Sequence, residues 1–119
     1  MIEILFHVST EGGARLLLPL ARACRRAGHA FAAFFTYEGV LGLADPDLEA
    51  ALGDARAVVC QESWHHFRGD APCPVELGSQ TANSSLAGAA RRVVSLSVRR
   101  TWWSSRAATT RKRCASPPG

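Results

Sequence analysis

Apolar positions along the chain switch between two periods. Ile2, Ile4, Leu5, Phe6 and Val8 form a nearly continuous apolar run, the pattern of a parallel strand buried on both faces, and the run stops at Ser9-Thr10-Glu11-Gly12-Gly13. From Ala14 to Ala27 the period lengthens. Leu17, Leu20 or Ala21, Cys24 and Ala27 recur at helical spacing, with Arg15, Arg22, Arg25 and Arg26 on the wet side and Gly28 as the stop. Pro19 falls inside this stretch, so the regular helix either opens near Pro19 as its first turn or is kinked there. His29 to Thr36 returns to an apolar strand through Phe31, Ala32, Ala33, Phe34 and Phe35. Strand, helix and strand in this order make a βαβ unit with a right-handed crossover.

The second half repeats the alternation less cleanly. Asp45-Pro46-Asp47 reads as a cap with Pro at the first helical position, predicting a short helix from Pro46 to about Leu52 that ends at Gly53-Asp54. Arg56 to Cys60 is a short β-branched run, predicted as a third strand. After it come a Pro-broken loop at Asp70 to Pro74, a short extended piece at Val75 to Leu77, a weak helical pattern from Ser79 to Ala90, and a last strand in Arg92 to Val98 that ends near Leu96. Between Cys60 and the loop the pattern leaves loop or helix open. Strands alternating with helices predict an α/β fold: one small three-layer domain with a mainly parallel sheet and flavodoxin-like layering. The length of 119 residues fits one domain and not two.

Charge divides the chain at residue 98. Residues 1–98 hold ten acids and eight arginines, whereas residues 99–119 hold six Lys/Arg and no acid. The α/β domain is therefore assigned to 1–98, and 99–119 to a basic, disordered tail rich in Ser, Thr and Ala. A mildly acidic body gives no support to nucleic-acid binding by the domain, and contact with nucleic acid is at most indirect. The N-terminus opens directly into a strand and not into a basic and then apolar leader, and no apolar run approaches the length of a membrane span. The expectation is a cytoplasmic protein, off the membrane, whose four cysteines are mostly reduced.

Candidate chemistry centres on Cys60. It ends a predicted strand, at the carboxyl edge of the sheet where α/β proteins place reactive groups, often beside a helix N-terminus. His65, His66 and Arg68 follow within eight residues and supply cationic character of the kind that favours a thiolate. The alternative for Cys60 is a buried structural thiol. Cys24 matches the buried face of the first helix, and Glu38 reads first as a turn residue. Cys60, His65, His66 and Cys73 are zinc-ligand types, but their spacing, C-x4-H-H-x6-C, matches no established framework, and no metal is assigned.

Several of these pieces taken together resemble the DsrE/TusD family of sulfur-relay proteins. The similar segments are Ile4 to Val8, the helix end Ala27-Gly28-His29, Phe34-Phe35-Thr36-Tyr37-Glu38-Gly39-Val40, Val58-Val59-Cys60 with Arg68-Gly69, and Val75 to Ser79 with Ala89 to Leu96. The resemblance covers about residues 2 to 96. It implies a DsrE-like domain that oligomerises with itself or with related subunits and passes sulfane sulfur, as a persulfide on Cys60, from a protein donor to a protein acceptor in tRNA thiolation or sulfur oxidation. Such a sulfurtransferase needs no cofactor. The chain departs from the family pattern in a shorter connector after Cys60, carrying Trp64, His65, His66 and Cys73. Two other readings stand beside it: an interaction subunit of the same fold with an inert Cys60, and, from Gly12-Gly13 through Pro19 to Gly28-His29 alone, an N-terminal fragment of a nucleotide-sugar glycosyltransferase.

Overall fold

The computed structural model of the chain describes residues 2–98. The elements in order are β1 (Ile2–Val8), α1 (Glu11–Ala27), β2 (Phe31–Phe35), a 3-10 segment (Tyr37–Ala44), α2 (Pro46–Leu52), β3 (Arg56–Cys60), α3 (Gln61–Arg68), β4 (Glu76–Gly78), α4 (Gln80–Ala89) and β5 (Ala90–Leu96). The five strands form one all-parallel sheet in the order β4-β3-β2-β1-β5. This is the three-layer α/β fold expected from the pattern. Right-handed crossovers explain its layering: β1 to β4 step one way across the sheet and send α1, the 3-10 segment, α2 and α3 to one face. The step from β4 back past β1 to β5 sends α4 to the other.

Two apolar clusters match these faces. Phe6, Val8, Phe35 and Val59 pack with Leu17, Leu48 and Trp64 on the first face. Leu5, Phe34, Val58 and Cys60 pack with Leu86 of α4 on the second. The second layer is thin, because Leu86 is the one fully buried side chain of α4. On β5, which forms an edge of the sheet, Val93 and Val94 are exposed. Among the described residues no helix is long and apolar enough to cross a membrane. The tail assigned to 99–119, with Cys114, lies outside the described residues.

Helix α1 begins at Glu11, ahead of both sequence-based starts, and runs through Pro19 to Ala27. The Thr10 side chain caps it by accepting from the Gly13 amide at 2.9 Å. Pro19 is tolerated because it is on the solvent side, as is Arg15, whose carbonyl the proline cannot pair and water can. Ala21, and not Leu20, takes the buried position. Gly28 ends the helix in the left-handed region at φ 78°. Helix α2 occupies the predicted span, with Asp45 accepting from the Asp47 amide.

The β1–α1 turn is pinned to the end of β5. The Ser9 amide donates to the Leu96 carbonyl at 3.1 Å, and the Thr10 hydroxyl donates to the Val98 carbonyl. A side chain at Gly13 would run into the Leu96 carbonyl, which a backbone ladder holds in place. Gly13→Ala is therefore expected to destabilise the domain by about 1–3 kcal/mol through overpacking. Gly88 in α4 has open space around it, and Gly88→Ala is expected to stabilise by about 0.5–1 kcal/mol. Denaturant midpoints of the two variants should move in opposite directions, and a neutral Gly13→Ala would show that β5 does not hold the turn closed.

Candidate functional site

Cys60 ends β3 and is at once the residue that opens α3, so strand passes into helix with no intervening loop. The tight junction sets its thiol where the first amides of a helix converge. Cys60 is 6% exposed and belongs to the cluster under α4, and the Gln80 side-chain amide donates to Sγ at 3.9 Å. Two further buried polar groups stand here. Thr36 follows the last residue of the neighbouring strand β2, and Ser63 is in the first turn of α3; their hydroxyl oxygens are 3.3 Å apart. The Tyr37 amide donates to Ser63 Oγ at 2.8 Å. With that oxygen already accepting, the Ser63 proton is free to point at Thr36 or at sulfur. Tyr37 delivers its amide from φ 50°, a left-handed conformation uncommon outside glycine.

These groups act on the sulfur in opposite senses. Burial, the largest single influence, pushes the Cys60 thiol up, but the Ser63 amide and hydroxyl, the Glu62 amide and the Thr36 hydroxyl together outweigh it and hold the thiol below its ordinary value. The two amides face the sulfur without closing a short capping bond. Burial pushes Cys24 up, with a smaller push from Glu3, and burial also pushes Cys73 up. Of the three described cysteines, Cys60 alone is shifted toward the thiolate.

His65, His66 and Arg68 share one exposed helical half, more than a turn beyond Cys60. Arg68 stacks over the Trp64 ring at 5.6 Å and His66 meets the edge of Phe67. None of the three is among the groups acting on the sulfur; hydroxyls and amides take that part. Ser63 and Gln80 escape a sequence search for charged neighbours, although the place of Ser63, three residues after a residue at the helix start, was readable as a capping position.

Cys73 packs against the cluster on the opposite face of the sheet from Cys60, so the four zinc-type residues do not meet. Among the described residues no group of three or more His, Cys, Asp or Glu is placed to hold a metal ion. Gly12 and Gly13 admit the Val98 and Leu96 carbonyls to the start of α1, where a phosphate cradle would need open backbone. Glu38 is exposed and lines a cavity of about 560 Å³ with His7, Ser9, Thr10, Tyr37 and Phe67.

No family model matches the chain, and no curated protein matches it. What the geometry offers chemically is a shielded thiol, shifted toward its anion by hydrogen-bond donors, at the carboxyl edge of a parallel sheet.

Proposed function

We propose that the domain carries sulfane sulfur as a persulfide on Cys60, as its resemblance to the DsrE/TusD sulfur-relay proteins implies. The observation that supports this reading is the convergence of Thr36, Ser63 and the first amides of α3 on one cysteine whose thiol is thereby shifted toward the anion. The thiolate attacks the outer sulfur of a donor persulfide. The donor's S–S bond breaks, the donor leaves as a thiolate, and Cys60 keeps the outer sulfur as Cys60-S-SH. Delivery repeats the step in reverse roles: an acceptor thiolate attacks the outer sulfur and Cys60 returns as the thiolate. No net oxidant or reductant is consumed. The donors that stabilise the thiolate stabilise it as attacking group and as leaving group alike. The protein then serves as a sulfurtransferase in tRNA thiolation or sulfur oxidation, in the cytoplasm, working with a donor, an acceptor and related subunits.

Incubation with a persulfide donor should add about 32 Da, one sulfur atom, reversibly by reductant, and Cys60→Ser should abolish the gain. Uptake undiminished in Cys60→Ser would move the carrier to another cysteine. A second reading is an interaction subunit with an inert thiol, favoured by the 6% exposure of Cys60 and by the exposed Val93 and Val94 on edge strand β5. Absence of any uptake by the wild-type chain would select it.

A further inference from the structure

The cavity between the β1 and β2 ends has a composition that the thiol chemistry does not use. Its walls are aromatic: Tyr37 is 66% exposed and Phe67 is also at the surface. Ser9 and Thr10 supply hydroxyls, and Glu38 a carboxylate. His7 stacks on Phe34 with centroids 5.8 Å apart, and burial pushes its imidazole down, so it adds no positive charge near neutral pH. Aromatic side chains with one carboxylate and, among the described residues, no Lys or Arg in the lining suit a cationic side chain. The ring faces attract the charge, the carboxylate pairs with it, and the rings cover its aliphatic stem.

The distribution of charge over the fold points the same way. Among the described residues at the amino ends of the strands, Asp54 pairs with Arg25 at 3.4 Å and Glu76 with Arg56 at 3.3 Å, and the Glu3 carboxylate is hydrogen-bonded to His29 at 2.8 Å. At the carboxyl end Glu11 pairs with Arg15 at 3.8 Å, while no described basic side chain pairs with Glu38, Asp45, Asp47 or Glu62. The described side chains around the end that bears Cys60 thus leave carboxylates without a basic partner. Such carboxylates repel phosphate and draw in positive charge.

We propose that this cavity seats a Lys or Arg side chain presented by a segment of a partner protein. The wall formed by Tyr37 is the same residue whose amide holds Ser63, and Thr36 before it stands beside the sulfur. A cation seated there anchors its carrier between one and two strand spacings, roughly 5–10 Å, from the Cys60 strand. That the partner is the sulfur donor rests on the persulfide reading; the cation seat itself does not.

The test is a titration of the full chain with an oligo-arginine peptide, followed by backbone amide shifts, in the wild type and in Cys60→Ser. Saturable shifts at Tyr37, Glu38 and Phe67 are expected in both, weakening about tenfold or more in Glu38→Lys and on raising salt from about 0.02 to about 0.5 M. Phe67→Ala, at a surface position, should weaken binding without the charge change. Equal shifts with an oligo-glutamate peptide, or no saturable shift, would overturn the proposal. Shifts that emerge only after deletion of 99–119, which carries six Lys/Arg and no acid, would assign the seat to the chain's own basic segment. Shifts that change on dilution without peptide would assign it to a second copy. Because the seat is read in Cys60→Ser, a failed persulfide assay leaves it standing, and a failed titration leaves the persulfide assay untouched.

Discussion

Phe34→Ala should cost the domain about 3–5 kcal/mol, the range for removing a fully buried aromatic from a core. Phe34 is wholly buried, stacks with His7, and belongs to the small cluster of Leu5, Val58, Cys60 and Leu86. A domain of this size has about 5–15 kcal/mol in all, so the loss is a large fraction of the total. The location adds a second consequence. Helix α4 is held to the sheet through Leu86, and a cavity beneath it weakens that layer first. Gln80, which covers Sγ, belongs to the same helix. Hydrogen exchange in α4 and alkylation of Cys60 should therefore both rise in conditions where the rest of the sheet stays protected. Val94→Ala, on the exposed edge, should stay within about 0.5 kcal/mol of wild type. A Phe34→Ala protein with an unchanged denaturant midpoint would mean that the thin face contributes little to the fold.

The contrast between the two faces shows what the sequence carried and what it did not. A nearly continuous apolar run at Ile2 to Val8 and a continuous one at Phe31 to Phe35 mark the strands buried on both faces. The Asp45-Pro46 cap marks the start of α2, and Gly53 its approximate end. Helix α3 has no sequence signature because Trp64 alone of its large side chains enters the core, and one apolar residue sets no period. The 3-10 segment after β2 was unpredicted for a similar reason: its register is fixed by packing on α1, where Gly42 meets Ala14. Strand β4, three residues long, depends on pairing with β3 and not on its own composition. At the site, Cys60 was legible as a strand-end cysteine, since that requires only the end of an apolar run. Its hydrogen-bond donors were not, because Thr36 and Ser63 are 27 residues apart and meet through the β2–β3 pairing and the left-handed turn at Tyr37. Charge near in sequence pointed to His65, His66 and Arg68; polarity near in space is supplied by two hydroxyls.

Alkylation by iodoacetamide as a function of pH should label Cys60 ahead of Cys24 and Cys73, and Ser63→Ala should move the Cys60 profile to higher pH. The direction follows from the balance at the sulfur, where burial opposes ionisation and the Ser63, Glu62 and Thr36 donors outweigh it. Removing the Ser63 hydroxyl takes away one donor and leaves the burial in place. Ser63→Thr retains a hydroxyl and should keep most of the low-pH reactivity, a rescue that a purely packing role would not give. The Tyr37 amide loses its acceptor in Ser63→Ala, an unpaired group that costs about 1–3 kcal/mol, so unfolding is measured alongside. Stability should follow the same signs. A thiol lowered in the folded state contributes stability that is present above its ordinary value and is lost as the pH falls through the folded value. Cys24 and Cys73, raised by burial, contribute stability below the ordinary thiol value and lose it as the pH rises through their folded values. Replacing Cys60 by Ser should therefore cost more stability above the ordinary thiol range than below it, and replacing Cys24 by Ala should flatten the decline in alkali. Faster labelling of Cys73 than of Cys60, or a Cys60 profile that ignores Ser63→Ala, would show that the hydroxyl pair does not act on the sulfur.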